Sequence, residues 1–181
     1  MTLAIFDVDY RDTGARAAVL LADAWTSAAP SACHSLDLIE VAAYEPGQFY
    51  KRELPCLLAL LQRLPLPIGA LQALVIDGHV WLDAQGRPGL GAHLHQAVGG
   101  ALPVVGVGKT AFGPLTGTAA VAEVRRGTSQ RPLYVSCVGM DLGQAAAQVA
   151  GMHGEHRVPS LLSAVDQLAR AQAPATWPSP A

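Results

Sequence analysis

The stretch Leu74-Val75-Ile76-Asp77-Gly78 constrains this chain more than any other. Three apolar residues, two of them β-branched, run without alternation into a carboxylate and a glycine. Such a run describes a short strand buried on both faces, as in a sheet covered by helices on each side. In open α/β sheets, ligands bind beyond the carboxyl ends of the strands. Asp77 therefore stands where a ligand would sit. A carboxylate is costly to bury there unless it is paired or bound to a cation. The plainer alternative is a loop or helix-capping Asp.

Other segments supply the sheet around it. Leu3 to Tyr10 reads as a strand, and period two puts Leu3, Ile5, Asp7 and Asp9 on one face. Arg11 to Gly14 is a polar turn ending in glycine. Ala17 to Ala24 is the return strand and Ser35 to Ala43 a third, so an antiparallel three-strand meander is expected first. After the Pro46-Gly47 turn, Leu54, Leu57, Leu58 and Leu61 are spaced i, i+3, i+4, i+7, which predicts a helix. Pro55 suits its first turn, and Glu53 then sits at the helix start, where the helix dipole alone would favour it. Gly89 to Val98 reads as a helix and Pro103 to Val107 as another short buried strand, delivering Gly108-Lys109-Thr110. Gly117 to Arg125 and Pro132 to Ser136 form a second hairpin. Gly143 to Ala150 and Pro159 to Ala171 read as closing helices. The expectation is a single α/β domain over residues 1–172, a mixed sheet flanked by helices, with a flexible, proline-rich tail over 173–181.

Composition narrows the function classes. With 51% hydrophobic and 14% charged residues in 181, the chain can build a core of ordinary size. Its net charge of −2 carries no global basic signature for nucleic acid. Three widely spaced cysteines (Cys33, Cys56, Cys137) without a CxxC fit a reducing compartment, so a cytoplasmic protein is expected. The N-terminus enters a strand-like run and does not read as a signal peptide. No apolar run approaches the ~20 residues of a membrane span. The sequence is silent on oligomeric state, and a monomer is the expectation.

Several motifs fail on inspection. Gly106-Val107-Gly108-Lys109-Thr110 lacks the preceding Walker glycine (Pro103 stands there), and Gly113-Pro114 prevents the required helix. His93 and His95, two apart on a helix, do not share a face. Cys33-His34 has no matching second pair for zinc, and no GxSxG nucleophile is present. What remains is Asp7 and Asp77 at strand ends, Glu53 at a helix start and Lys109, whose plainer reading is a solvated loop lysine. If the first, fourth and fifth strands are neighbours, these groups meet in one cleft. Carboxylates held together repel unless a cation lies between them, and hard oxygen ligands suit Mg²⁺ or Mn²⁺. With a lysine nearby, such a site suits phosphodiester hydrolysis.

The run from Tyr44 through Pro46, Gly47, Arg52 and Glu53 to Pro55 resembles the endonuclease V (deoxyinosine 3′-endonuclease) motif YxPGxxxxRExP. Val75-Ile76-Asp77-Gly78, Gly89 to Leu94 and Pro103 to Lys109 resemble that family's VDG, GxAxHxG and PxxGVAK blocks, in the same order. Phe6-Asp7-Val8 is similar to its first-strand Asp block. The resemblance spans Leu3 to Ser136. It implies an RNase H-like fold and a nuclease that nicks DNA or RNA near inosine with Mg²⁺ or Mn²⁺. It further implies Asp7 and Asp77 as metal ligands, Glu53 as a third acidic group and Lys109 as the catalytic lysine. Tyr44, Pro46, Gly47 and Gly78 fall at substrate-binding positions, the first two in a wedge beside the lesion. An aromatic wedge can fill the hole a flipped base leaves.

This chain also departs from the pattern. The loop Val80 to Gly89 is one residue longer and lacks the family's His; Asp83 stands near that position as a candidate replacement. Ala43 occupies the place of a wedge proline, and Ser136 to Gly139 carries no His. The lost histidines leave a non-catalytic nucleic-acid binder on the same fold as one alternative. The sparse cations leave a small-nucleotide phosphohydrolase as another.

Overall fold

A computed structural model of the chain describes residues 2–39 and 48–171. Its strands are β1 (Thr2–Arg11), β2 (Gly14–Ala22), β3 (Ala32–Leu38), β4 (Leu71–Asp77), β5 (Val104–Gly108), β6 (Ala122–Val124) and β7 (Leu133–Val138). The helices are α1 (Phe49–Leu61), α2 (Leu90–Ala97), α3 (Leu142–Ala150) and α4 (Ser160–Arg170). All seven strands join one sheet in the order β3-β2-β1-β4-β5-β7-β6. The first three form the expected antiparallel meander. β1, β4 and β5 are parallel neighbours, and β7 and β6 complete the sheet antiparallel.

Strand alternation divides the core. Leu3 and Ile5 of β1, Ala73 and Val75 of β4, and Val105 and Val107 of β5 face α3 and α4. Ala4, Phe6, Leu74, Ile76 and Val104 face α1 and α2. β4 and β5 are thus apolar on both faces because both faces are covered. The same parity carries Asp7, Asp77 and Lys109 to the α4 side.

Some boundaries differ from the sequence reading. α1 begins at Phe49, one turn before the apolar stripe, so Pro55 lies inside it and Glu53 in its second turn. The polar run Lys51-Arg52-Glu53 is a good helix former and extends the element backward. Glu53 is consequently a core-facing residue, only 4% exposed, and not a dipole cap. β6 keeps three residues of the expected Gly117–Arg125 strand; the preceding chain turns, with Thr118 Oγ1 donating to the Leu115 carbonyl. β3 is described to Leu38. The stretch 40–47, with Tyr44, Pro46 and Gly47, and the expected tail over 173–181 lie outside the described residues.

Among the described residues, no helix is long and apolar enough to cross a membrane. All three cysteines are free thiols. No helix follows β5 directly, in line with rejection of a P-loop. His93 stacks on Tyr50 with centroids 3.6 Å apart, and His95 Nδ1 bonds the Leu102 carbonyl at 2.7 Å, so the two imidazoles serve different neighbours.

Candidate active site

β1 pairs with β4 through Phe6 and Ile76, so Asp7 and Asp77 are the next residues along two adjacent strands. Lys109 follows the last residue of β5, the third parallel neighbour. Its Nζ donates to Asp77 Oδ2 at 2.7 Å and lies 3.6 Å from Asp166 Oδ1. A cavity of about 10 Å³ opens here, lined by Asp7, Asp77 and Lys109 among apolar side chains. That is close to the volume one water needs. Glu53 approaches from α1. It lies outside the cavity lining, yet Asp7 and Asp77 are near enough to act on it electrostatically.

The carboxyl groups are held under strain of charge. Burial, then the field of Asp77, pushes Asp7 up to about 7, against a bond from the Val8 amide. Burial raises Glu53 well above the usual glutamate range, with Asp7 and Asp77 adding to it. Its Oε2 is buried without a hydrogen-bond partner. Lys109 balances part of this charge. Burial opposes its ammonium, but the bond to Asp77 and the fields of Asp77, Asp7 and Asp166 outweigh it and hold the pKa above its ordinary value.

Asp166 is absent from the sequence reading. Its signal was a carboxylate inside the apolar stripe of α4, whose Leu162, Val165 and Ala169 are buried. Two arginines fix the helix that carries it. Arg11 Nη2 donates to the carbonyls of Ala169 and Ala171, and buried Arg16 donates to Ala171 while forking onto both oxygens of Asp37. Carbonyls at a helix C-terminus have no partners within the helix, and cations favour that end. A third arginine supports Lys109: Arg157 donates to the Lys109 and Pro132 carbonyls.

A second cavity, of about 350 Å³, shares Asp77 with the first. Phe49, Tyr50, Phe112 and His79 give it aromatic walls, with Gly78 and Arg87 at its polar edge. Gly78 has φ +121°, a conformation that costs other residues energy. Its carbonyl would lie 2.7 Å from a Cβ on Gly106, so the β4 end can cross β5 only over a glycine. His79 lies over Gly108 and tilts against Phe112, centroids 5.7 Å apart. Burial holds this imidazole below its ordinary pKa. Asp83 turns to its own loop, accepting from the amides of Gln85 and Arg87 and pairing with Arg87 Nε at 3.3 Å. The imidazole that lines the cavity is therefore His79, and Asp83 closes a turn.

By donor type the site suits a hard divalent ion, and the unpartnered Glu53 oxygen is an available acceptor. Among the described residues, however, no group of three His, Cys, Asp or Glu side chains is already arranged to hold a metal ion. The sequence reading expected three carboxylates around one gap; in the structure two line it, and Lys109 is drawn onto Asp77.

A family model described as Endonuclease V matches residues 1–167. An endonuclease V from Streptomyces coelicolor is 35% identical over 181 residues, covering 90% of this chain and 74% of the relative. The crystal structure of Streptomyces avermitilis endonuclease V superposes with a TM-score of 0.70 at 27% identity, over 94% of this chain and 80% of that one. Ciona intestinalis endonuclease V, solved with a 24mer DNA containing an inosine followed by a ribo-adenosine, has a TM-score of 0.74 at 18% identity, over 93% and 84% of the two chains, a likeness of fold.

Proposed function

The chain belongs to the endonuclease V family, and is thereby a nuclease of the hydrolase class that acts on DNA; we propose that it nicks a strand beside a deaminated purine, using Mg²⁺ or Mn²⁺. The observation that carries the proposal is the meeting of Asp7, Asp77, Asp166 and Lys109 at the ends of parallel strands, with buried Glu53 behind them. We assign Asp7 and Asp77 as the metal ligands, with Glu53 and Asp166 completing the acidic set. A divalent ion bound there supplies a water of lowered pKa and polarises the phosphate oxygens. The ammonium of Lys109 lies where charge builds on the phosphorus oxygens and offsets it. Asp77 holds that ammonium in place through the 2.7 Å bond.

The 350 Å³ cavity beside Asp77 takes the flipped base between Phe49, Tyr50 and Phe112, within the size range of small-ligand sites. Base–aromatic stacking contributes ~1–3 kcal/mol per base. Support for inosine as that base comes from the shared fold of the Ciona enzyme solved with such DNA. We assign the wedge to Tyr44 and Pro46 and substrate contact to Gly47 and Gly78, and take the protein to work as a cytoplasmic monomer.

The test is nicking of a 5′-labelled oligonucleotide with a single deoxyinosine, with and without Mn²⁺. Site-specific nicking that Asp77→Asn abolishes is expected. Metal-independent nicking, or activity surviving Asp77→Asn, would overturn the assignment. A non-catalytic binder would instead hold the inosine strand tightly with no cut under either ion.

A further inference from the structure

A third cavity, of about 340 Å³, adjoins the site on its other side. Lys109 belongs both to it and to the small acidic cavity, as Asp77 belongs both to that cavity and to the aromatic one. The aromatic and third cavities share no residue. The acidic cavity thus adjoins both others, through Asp77 on one and Lys109 on the other.

The third cavity is cationic. Arg131, Arg157 and Lys109 line it, with Thr110 and Tyr134 between them. Arg131 is exposed, and its guanidinium has no hydrogen-bond or ion-pair partner among the described residues. Arg157 spends Nε and Nη2 on backbone carbonyls, leaving Nη1 without a partner among the described residues. Asp77 and Asp166 pair with Lys109 on its acidic side, and Glu123, opposite Tyr134 on β6, pairs with Arg125 at 3.5 Å. The guanidinium of Arg131 and the Nη1 of Arg157 together present donors that suit an anion. Arginine suits phosphate because its planar fork matches the oxygens.

Building on the nuclease reading, we propose that this groove grips the backbone phosphate on the far side of the scissile bond from the recognised base. A strand whose base fills the aromatic slot and whose scissile phosphate lies at Lys109 reaches the third cavity through Lys109, which lines both. Arg131 and Nη1 of Arg157 then contact the next phosphate, and the Tyr134 ring flanks its sugar. The contact positions the strand and reads no sequence.

Arg131→Gln tests it, because the side chain is exposed and supports no neighbour. Steady-state nicking is measured on two deoxyinosine oligonucleotides: one continues several nucleotides past the nick on both sides, the other ends just beyond it on the side away from the base. On the continuous strand the variant should show KM raised about tenfold, the loss of one charge-assisted contact, with kcat retained. The slope of log affinity against log salt should fall by about one contact's share. On the shortened strand, variant and wild type should coincide. Unchanged KM and salt slope, or an equal loss on both strands, would overturn the groove while leaving the nuclease reading intact. A wild-type protein that nicks neither strand would overturn that reading, and the groove with it.

Discussion

Replacing Asp7 by Asn should stabilise the metal-free protein at alkaline pH while abolishing nicking. The carboxyl of Asp7 moves from 3.8 to about 7 on folding, through burial first and the charge of Asp77 second. A carboxyl raised in this way favours the folded state fully below its unfolded value near 4, and that contribution is lost as pH rises through 7. At pH 8 the ionised form then disfavours folding by at most about 4 kcal/mol. Solvent screening at the cleft mouth reduces this to about 1–3 kcal/mol. Asparagine keeps the acceptor for the Val8 amide, now at 2.8 Å, and removes the repulsion. Melting in chelator should therefore rise by about 2–12 °C at pH 8 for a chain of this size, and by nothing measurable at pH 4. Added Mn²⁺ should stabilise the wild type increasingly with pH and the variant much less. An Asp7→Asn protein that melts at or below the wild-type temperature at pH 8 would refute the electrostatic account of the site.

Glu53→Gln should likewise raise stability above neutral pH, since burial and the two aspartates disfavour its ionised form, and should remove nicking; a melting curve and a cleavage assay on one preparation check both. Asp166→Asn should lower kcat more than KM, because the group acts through Lys109 and the acidic centre. Gly108→Ala should cost ~1–3 kcal/mol in urea unfolding and weaken inosine binding, because its Cβ would lie 2.6 Å from the His79 ring, which must then shift within the aromatic cavity. Arg126→Met should cost about 2–4 kcal/mol in the same measurement. That buried guanidinium donates to the carbonyls of Ala150, Met152, Gly154, His156 and Arg157, which would lose their donor together.

Much of this site was legible along the chain. Asp7, Asp77 and Lys109 end apolar strand-like runs, and Glu53 lies in a dense local motif, so each announced itself through its immediate neighbours. Local pattern misjudged what depends on docking. Glu53 resembled a helix cap until α1 was seen to begin a turn earlier and face the core. By position Asp83 is a candidate replacement for a missing imidazole; its carboxylate accepts from the Gln85 and Arg87 amides, and His79, which local pattern does not single out, lines the cavity.

The amino-acid order by itself determined the layered α/β arrangement, because buried central strands, amphipathic helices and glycine-marked turns are written at short range. Which distant groups became neighbours was decided only by tertiary packing. Asp166 joins Lys109 because two arginines at the far end of α4 fix that helix against β1 and β2. Arg131 lies near Lys109 because β7 pairs with β5, and Arg157 because it donates to the Lys109 and Pro132 carbonyls. Electrostatic and hydrogen-bonding forces act through space over a few ångströms, and separation along the chain carries no record of those distances.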